Sequence, residues 1–327
     1  MTSLCIVGAG AVGGFIGARL ARSGQGLNVL ARGQTLSTLR AQGLTLVEGE
    51  HSETFQVHAE GDPAALGTQD VVILAVKAPA LPQLARAIGP LIGPDTVVVT
   101  AMNGVPWWFF ERPGPHAGLS LHAVDPEGAI ARAIPATQVI GCVVHLTAST
   151  PAPATVRHGF GERLILGAAG GDSGMAAGKV ETVASLLAKG GLEIERSAAI
   201  QQDIWFKLWG NMTMNPVSVL TGATCDRILD DPLVNRFCLA VMEEAGRIGA
   251  AIGCPIAQSG EERSQVTRKL GAFKTSMLQD AEAGRPLEID ALVASVREIG
   301  EHVGIATPNI DALLGLVRLH AQVRGLY

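Results

Sequence analysis

The sequence predicts an α/β protein in two parts: an N-terminal domain with a doubly wound sheet over residues 1–197, and an all-α domain over residues 198–327. Three observations support this prediction. The chain of 327 residues is longer than one hydrophobic core usually organises. In its first half, short runs rich in valine, leucine and isoleucine alternate with helical stretches, which is typical of a parallel sheet covered on both faces. Beyond about residue 198 the pattern becomes that of successive helices.

The strand signals are short, nearly continuous apolar runs. Leu4–Val7 is the first of them, and a glycine-rich turn follows it directly. Two later runs flank a segment rich in proline and glycine, and we expect them to belong to the same sheet in antiparallel orientation. The predicted strands span residues 4–7, 27–30, 70–76, 96–100, 139–146, 163–166 and 192–195.

The helices of the C-terminal domain are predicted from apolar periodicity and from the residues that begin or end them. Gly284-Arg285-Pro286 is expected to end the third helix, because glycine and proline disfavour helix interiors. The five predicted helices span residues 200–220, 232–252, 258–283, 288–303 and 310–323.

Composition and charge exclude several classes of protein. A net charge of −5 and the absence of any basic block argue against nucleic-acid binding. The five cysteines have wide spacings without a C-x-x-C pair, and the eight histidines show no H-E-x-x-H, so we expect reduced thiols and no metal site. No run approaches the ~20 apolar residues that span a bilayer. We therefore expect no membrane association and a cytoplasmic location.

A glycine-rich segment lies between the first strand and a helix, which is the context that dinucleotide binding requires. It has the pattern G-x-G-x-x-G, in Gly8-Ala9-Gly10-Ala11-Val12-Gly13. The first glycine permits a tight turn, the second lets a pyrophosphate approach the backbone, and the third allows close packing of helix and strand. The phosphate then lies at the helix N-terminus. The segment predicts a Rossmann-type cofactor site, although a purely structural glycine turn has the same pattern.

Arg32 closely follows the second predicted strand, and this residue favours NADP over NAD. An NAD enzyme usually has an acidic residue in this region for the ribose 2′-hydroxyl, whereas no acidic residue precedes Glu48. A guanidinium can instead pair with the 2′-phosphate of NADP. A solvated surface arginine is the alternative.

Two further strands end in polar residues, at Lys77 and at Asn103-Gly104. Ligands of open α/β sheets bind beyond the carboxyl ends of the strands. Lys77 could therefore contact the cofactor or the substrate, and Asn103 the substrate or the nicotinamide. Ordinary loop residues remain the alternative for both, since Asn-Gly is a common turn pair.

The first helix of the C-terminal domain carries a polar stripe on an otherwise apolar segment. Lys207, Asn211 and Asn215 follow each other at intervals of four residues, so they lie along one side of the helix. Buried polar groups need partners, and three in line predict a polar cleft. An ammonium there could protonate the oxygen of a ketone during reduction, with a pKa lowered by burial. A lysine that extends to solvent along the core surface is the alternative.

A second polar set follows at Ser276, Asp280, Glu288 and Asp290. Ser276 and Asp280 are one helical turn apart, and Glu288 begins the next predicted helix. Capping of that helix is an alternative role for Glu288 and Asp290, because carboxylates stabilise helix N-termini.

Together these residues resemble the ketopantoate reductase (2-dehydropantoate 2-reductase) family over nearly the whole chain. The lysine–asparagine segment and the S-M-L-Q-D…E-I-D segment are specific in combination. The matching residues are Gly8–Gly13, Arg32, Lys77, Asn103-Gly104, Lys207, Asn211, Asn215-Pro216, Ser276–Asp280 and Glu288-Ile289-Asp290.

The resemblance implies that NADPH reduces the C2 ketone of 2-dehydropantoate to pantoate, for pantothenate synthesis. Lys207 would be the general acid, and Glu288 would position the substrate and the lysine. The remaining polar residues would hydrogen-bond the substrate, with Asp280 orienting the site: Asn103, Asn211, Asn215, Ser276 and Asp280.

The chain departs from the family pattern in the residues around Asn103, which follow the predicted strand of residues 96–100. Met102 stands where the family commonly has glutamine, and four aromatic residues, Trp107–Phe110, follow where a small glycine-containing turn is common. Core packing would explain the aromatic run. A pocket wall shaped for a bulkier 2-oxo acid is the alternative, and residues 111–135 could form a lid.

Two other functions remain open from the residues alone. Another NADP-linked reductase, acting on β-hydroxyacids or imines, would need the glycine motif and Arg32 but not Asn211, Ser276 and Glu288. A non-catalytic NADP sensor would leave the stripe of Lys207 without a purpose. The apolar C-terminal helices could bury a dimer interface, and we expect a homodimer.

Overall fold

The computed structural model describes residues 2–172 and 174–327. They form two compact units, one around a sheet and one helical. The chain crosses between them more than once, whereas the sequence predicts a single change at residue 198. The first unit comprises Met1–Met102, Trp108–Gly118 and Gly128–Ile200, and the second comprises Asn103–Trp107, Leu119–Glu127 and Gln201–Tyr327.

A mixed ten-stranded sheet forms the centre of the first unit. Its order is β4-β3-β9-β8-β7-β6-β1-β2-β5, and β10 pairs with β9. The strands are β1 (Leu4–Val7), β2 (Asn28–Leu30), β3 (Leu44–Glu48), β4 (His51–Phe55), β5 (His58–Glu60), β6 (Val71–Leu74), β7 (Val97–Thr100), β8 (Val139–Ala152), β9 (Thr155–Ala168) and β10 (Glu193–Arg196).

The predicted strands are all present, and the doubly wound part is parallel. β1 pairs in parallel with β2 and with β6, and β6 with β7. Every residue of β1, β6 and β7 is buried, which explains why these strands are apolar without alternation. β8 and β9 pair in antiparallel orientation, as expected, and form a hairpin longer than predicted.

Three strands, β3, β4 and β5, were not predicted. β4 is mostly exposed and polar, so it lacks an apolar run, and it pairs only with the neighbouring β3. β3 joins the sheet through β9, more than one hundred residues later in the chain. Pairing over that distance is a tertiary contact that a local pattern does not reveal.

The helices of the first unit cover the sheet, and the buried side of α1 contributes Phe15, Ile16 and Leu20 to its core. They are α1 (Ala11–Arg22), α2 (Gly33–Gln42), α3 (Pro63–Leu66), α4 (Leu81–Ala85), α5 (Ala129–Ala133) and α6 (Met175–Lys189).

The second unit is helical, with the long α7 buried over most of its surface. Its elements are α7 (Ile200–Thr221), α8 (Cys225–Asp230), α9 (Pro232–Ala251), α10 (Gly260–Arg268), α11 (Ser276–Glu282), a π-helix (Asp290–Ala294), α12 (Ser295–His302) and α13 (Pro308–Val323). The first residue of α7 is the last residue of the first unit.

The prediction of one continuous helix over residues 258–283 is wrong. The chain instead forms α10 and α11, separated by a turn in which Gly271 has a φ of +62°. Thr275 then begins α11, and its Oγ1 accepts a hydrogen bond from the backbone nitrogen of Leu278 at 3.1 Å. A residue with positive φ cannot continue a right-handed helix, and a threonine cap favours a new start. The short α8 was not predicted.

No helix among the described residues is long and apolar enough to cross a membrane. The cytoplasmic location stays a prediction. The five cysteines are buried free thiols.

Candidate active site

The three motif glycines of the first unit have three different surroundings. Gly8 has a φ of +94°, and a Cβ there would lie 2.8 Å from Cγ1 of Val76. A Cβ on Gly13 would lie 2.1 Å from the carbonyl oxygen of Gly8, so α1 can pack against the turn only without it. At Gly10 an added Cβ would meet no atom within 4 Å. Gly8 and Gly13 therefore serve the turn and the packing, and Gly10 leaves the backbone open toward a ligand.

A cleft of about 580 Å³ opens beside this turn. The N-terminus of α1 has no side-chain cap, because its N-cap is Gly10, and its backbone N–H groups suit a phosphate. The cleft is lined by residues from the turn, from the end of β2, from α4 and from the β8–β9 hairpin. Among them are Gly8, Ala9, Gly10, Arg32, Gln83 and Thr150–Ala154. These residues fit a dinucleotide.

Arg32 lies at the rim of this cleft and is exposed. Its Nη1 donates to Oε1 of Gln83 at 2.9 Å, which orients the guanidinium without neutralising it. The other predicted cofactor residues lie outside the lining: Ala11, Val12 and Gly13 in the first turn of α1, and the half-buried Lys77 just before a 3₁₀ turn. Their predicted contacts with the cofactor stay predictions.

Lys207 and Asn103 meet in the second unit. Lys207 is half-buried on α7, and its Nζ donates to Oδ1 of Asn103 at 2.8 Å. The two residues are far apart in sequence, so this contact is decided by the tertiary fold. It gives the ammonium a neutral hydrogen-bond acceptor, which helps to orient it.

Gly104 holds Asn103 in place, a role that the sequence did not reveal. Its φ is +84°, and a Cβ there would lie 2.5 Å from the carbonyl oxygen of Ala291. The next residue, Val105, donates its backbone N–H to that same oxygen at 2.8 Å. Asn103 is thus fixed against the π-helix that follows Glu288. The Asn-Gly pair suggested only a turn, because the partner of Gly104 is distant in sequence.

Asn211 and Asn215 continue the stripe of Lys207 along α7. Asn211 is half-buried, and Asn215 is 5% exposed. One turn further on, Oγ of Ser218 lies 2.6 Å from Oγ1 of Thr275, the cap of α11. This contact brings the C-terminal half of α7 to the start of α11, where Ser276 is exposed.

Asp280 is buried and engaged by a neighbouring cation. Nε of Arg285 donates to its Oδ1 at 2.9 Å, and the backbone nitrogen of Arg285 donates to its carbonyl oxygen. Asp280 therefore holds the turn that leads to Glu288. Its predicted contact with substrate stays a prediction.

Glu288 is 8% exposed and lies in a segment held from both sides. The backbone nitrogen of Leu287 donates to the carbonyl oxygen of Leu326, and the hydroxyl of Tyr327 donates to Oδ1 of Asp290 at 2.8 Å. Burial raises the pKa of Asp290 above its ordinary value, and burial together with Asp290 raises the pKa of Tyr327 to about 12. Asp290 thus lies in the first turn of the π-helix and pairs there with a hydroxyl.

Two family models for ketopantoate reductase match most of the chain. The model described as ketopantoate reductase PanE/ApbA matches residues 4–171, and its C-terminal counterpart matches residues 199–321. The chain belongs to the ketopantoate reductase family. It is therefore a dinucleotide-dependent oxidoreductase.

Individual ketopantoate reductases resemble the chain over its full length. The 2-dehydropantoate 2-reductase of Mesorhizobium japonicum is 43% identical over 326 residues, which cover 99% of each chain. A crystal structure from Ralstonia solanacearum MolK2 is 67% identical, covers 100% of both chains and has a TM-score of 0.96. The 2-dehydropantoate 2-reductase of Geobacter metallireducens is 26% identical, with a TM-score of 0.83 over 97% of this chain and 99% of its own.

The aromatic run of residues 107–110 is buried. Trp107, Trp108, Phe109 and Phe110 are each at most 7% exposed. Trp108 packs so closely on β8 that a Cβ on Gly141 would lie 2.5 Å from its Cη2. Core packing therefore explains Trp108, whereas a contact of Trp107 with substrate stays a prediction.

The middle part of the segment of residues 111–135 belongs to the second unit. The backbone nitrogens of His122 and Ala123 donate to the carboxylate of Glu298 on α12, at 2.7 and 2.8 Å. Movement of this segment as a lid stays a prediction. Among residues 2–172 and 174–327, no group of three or more His, Cys, Asp or Glu side chains is placed to hold a metal ion.

Proposed function

We propose that this ketopantoate reductase reduces the C2 ketone of 2-dehydropantoate to pantoate with NADPH, a step of pantothenate biosynthesis, and that Lys207 is the general acid. The observation that carries the proposal is the hydrogen bond of Lys207 to Asn103, on a helix that presents two more asparagines along the same stripe. This set supplies one proton donor and several neutral hydrogen-bonding groups. It suits a small polar ketone.

NADPH, when bound, supplies the hydride that C2 accepts. The ketone oxygen then gains negative charge, and Lys207 neutralises it by donating a proton from Nζ. Asn103 accepts one of the three Nζ–H bonds, and we assign another of them to the substrate oxygen. After the transfer, Lys207 is neutral and must regain a proton from solvent.

Substrate contacts are assigned to the neutral side chains of the second unit. Asn211 and Asn215 face the same side of α7 as Lys207, and Ser276 is exposed at the start of α11. Their amide and hydroxyl groups can both donate and accept, which suits the hydroxyl and carboxylate groups of 2-dehydropantoate. Glu288, buried next to the segment that holds Asn103, positions the substrate and the lysine.

Cofactor preference is assigned to Arg32. It is an exposed cation at the rim of the cleft, held by the neutral Gln83, and no acidic residue precedes Glu48 to bind a ribose 2′-hydroxyl. These features favour the 2′-phosphate of NADP.

The test is NADPH oxidation with 2-dehydropantoate and a panel of 2-oxo acids, for wild type and Lys207→Ala. We expect kcat to fall by ~10²–10⁴-fold in the variant, the usual contribution of a general acid. Lys189→Ala, at the exposed end of α6, removes the same charge and should retain full activity. Equal activity of Lys207→Ala and wild type would refute the role of Lys207.

The panel also separates the other functions. If only bulkier 2-oxo acids were turned over, the substrate would be one of them and not 2-dehydropantoate. Trp107 would then be the first residue to substitute, because it lies in the same short segment as Asn103. NADPH binding without turnover of any acid would indicate a sensor.

We also propose that the protein forms a homodimer. The exposed side of α13 carries Leu316, Leu319 and Val323, which are 59%, 60% and 80% exposed and lie on one stripe. Light scattering should give the mass of two chains for wild type and of one chain for Leu319→Glu. A wild-type mass of one chain at all concentrations would refute this.

A further inference from the structure

Arg263, on α10, is a cation of the second unit that the proposed reaction does not use. Its side chain is half-buried, and its Nε is shielded from solvent without a hydrogen-bond partner. None of the ion pairs and side-chain hydrogen bonds formed by the described residues includes its guanidinium. Burial lowers the pKa of Arg263, and no carboxylate opposes this effect. A desolvated cation without an anion is costly in a folded protein, so its retention suggests a ligand.

The guanidinium is seated on α7 by two residues. Its Cζ lies 5.1 Å from the ring centroid of Phe206, within the range of a cation–π contact. On the neighbouring turn, a Cβ added to Gly210 would lie 3.1 Å from Nε and 3.2 Å from Nη2. Glycine is unfavourable inside a helix, and here its missing side chain leaves room for the guanidinium.

This seat lies beside the proposed catalytic stripe. Phe206 directly precedes Lys207, and Gly210 directly precedes Asn211. Gly210 also lies three residues after Lys207, which places the two on neighbouring positions of the helix surface. The guanidinium of Arg263 is therefore held within about one helical turn, ~5.4 Å along the axis, of Lys207 and Asn211.

We propose that Arg263 binds the carboxylate of the 2-oxo acid substrate and thereby selects acids over neutral ketones. In a 2-oxo acid the carboxylate carbon is bonded to the ketone carbon, so the groups that bind them must be close together. Arg263 contacts the residues of α7 that adjoin Lys207 and Asn211 in sequence, as this requirement demands. The planar fork of an arginine matches a carboxylate through two parallel N–H···O bonds. This proposal rests on the proposed function and adds the group that recognises its substrate class.

The experiment compares two substrates with the same C2 ketone: 2-dehydropantoate, which is an anion, and its neutral lactone. In Arg263→Gln we expect kcat/KM for the acid to fall about 100-fold, mainly through KM, as is typical when one partner of a charge-assisted pair is removed. The lactone should change less than about threefold, because it has no carboxylate to lose. Similar losses for both substrates, or no loss for the acid, would overturn the proposal.

Arg268→Gln is the matched control. It lies on the same helix, loses the same charge, and is paired with Asp230 in the folded protein. Its ratio of acid to lactone activity should equal that of wild type. A drop equal to that of Arg263→Gln would assign the effect to net charge and would contradict a specific site.

Gly210→Ala tests the seat while Arg263 stays in place. The new Cβ would lie 3.1 Å from Nε, so the guanidinium must move by a few tenths of an ångström, whereas alanine favours a helix more than glycine does, so the fold should persist. We expect the acid-to-lactone ratio to fall, but by less than in Arg263→Gln, because the guanidinium is shifted and not removed. An unchanged ratio in Gly210→Ala would contradict the seat that the geometry defines.

Calorimetric titration with pantoate and with its lactone tests carboxylate binding by Arg263 independently of whether the protein catalyses the proposed reaction. If wild type reduces 2-oxo acids and both arginine variants behave alike, only the role of Arg263 is wrong. If wild type reduces no 2-oxo acid, the proposed function fails, and the titration decides about Arg263. Pantoate binding that Arg263→Gln abolishes and Arg268→Gln retains supports the carboxylate site, whereas equal binding by all three, or none, refutes it.

Discussion

The glycine turn of the first unit and the polar stripe of the second unit, the two proposed ligand sites, are built in different ways. At the turn, the backbone forms the site, and the motif residues lie within six consecutive positions. Around Lys207, side chains form the proposed site: Asn103 contacts Lys207, and Arg263 lies against the neighbouring Gly210, both from distant parts of the chain. Backbone sites therefore leave a compact sequence motif. A side-chain site leaves a dispersed one whose members must be brought together by folding.

The largest effect that tests this comparison is expected at Asn103. In Asn103→Ala, Lys207 loses the side-chain oxygen that accepts from its Nζ at 2.8 Å, so the ammonium is oriented less well. We expect kcat to fall ~10²-fold, the scale on which misplaced catalytic groups reduce rates. Steady-state kinetics measures the loss, and Asn28→Ala, on β2 of the first unit, is the control amide. A kcat within twofold of wild type would show that the side-chain site does not depend on its distant partner.

An intermediate effect is expected at the glycine turn, where Gly10 and Gly13 should separate binding from stability. Gly10→Ala adds a methyl group into open space, so the melting temperature should stay unchanged while NADPH binds about tenfold more weakly, because the methyl group occupies the approach of the pyrophosphate. Gly13→Ala places its Cβ 2.1 Å from a backbone oxygen, so it should also destabilise the fold by ~1–3 kcal/mol.

Thermal denaturation and fluorescence titration with NADPH measure the two properties. If Gly10→Ala lowers the melting temperature as much as Gly13→Ala does, the open space at Gly10 has no functional meaning. If neither substitution weakens NADPH binding, the turn is structural, as the pattern alone allowed.

The smallest effect concerns Asp290, a charged group next to Glu288. Its folded pKa is raised by burial, so the folded protein favours the neutral carboxyl, and stability is lost as pH rises through that pKa. Asp290→Asn keeps an oxygen that can accept the hydroxyl of Tyr327 and removes the titration. The variant should melt at a higher temperature than wild type at pH 7, and the difference should vanish near pH 4, around the ordinary carboxyl pKa of ~3.9. A lower melting temperature at pH 7 would contradict the assigned direction.

Sequence patterns predicted some secondary-structure elements correctly and missed others, and the physical surroundings of each element explain the difference. The apolar runs at β1, β6 and β7 were sufficient because these strands are buried on both faces. The pattern was insufficient at β4, which is exposed and polar, and at the turn between α10 and α11, where Gly271 adopts a positive φ inside an apparently continuous helix. Local preference decides an element only when the tertiary surroundings agree with it.

In the candidate site, too, the sequence indicated some residues and not others. Periodicity placed Lys207, Asn211 and Asn215 on one side of a helix, because helical geometry converts a spacing of four residues into a shared face. Periodicity did not indicate Arg263, since its partners are an aromatic ring and a glycine on another helix. A glycine inside the buried α7 was the one signal that could have prompted a search for a group packed against it.

By itself, the sequence determined the buried parallel strands, the glycine turn with its α1, and the stripe on α7, because each of these depends on residues that are neighbours along the chain. Only the tertiary structure decided that Asn103 accepts a hydrogen bond from Lys207, that Gly104 packs against Ala291, and that Arg263 lies on Gly210. These contacts join segments that are far apart in sequence. Their formation depends on how complete elements pack, a property that no local pattern of residues contains.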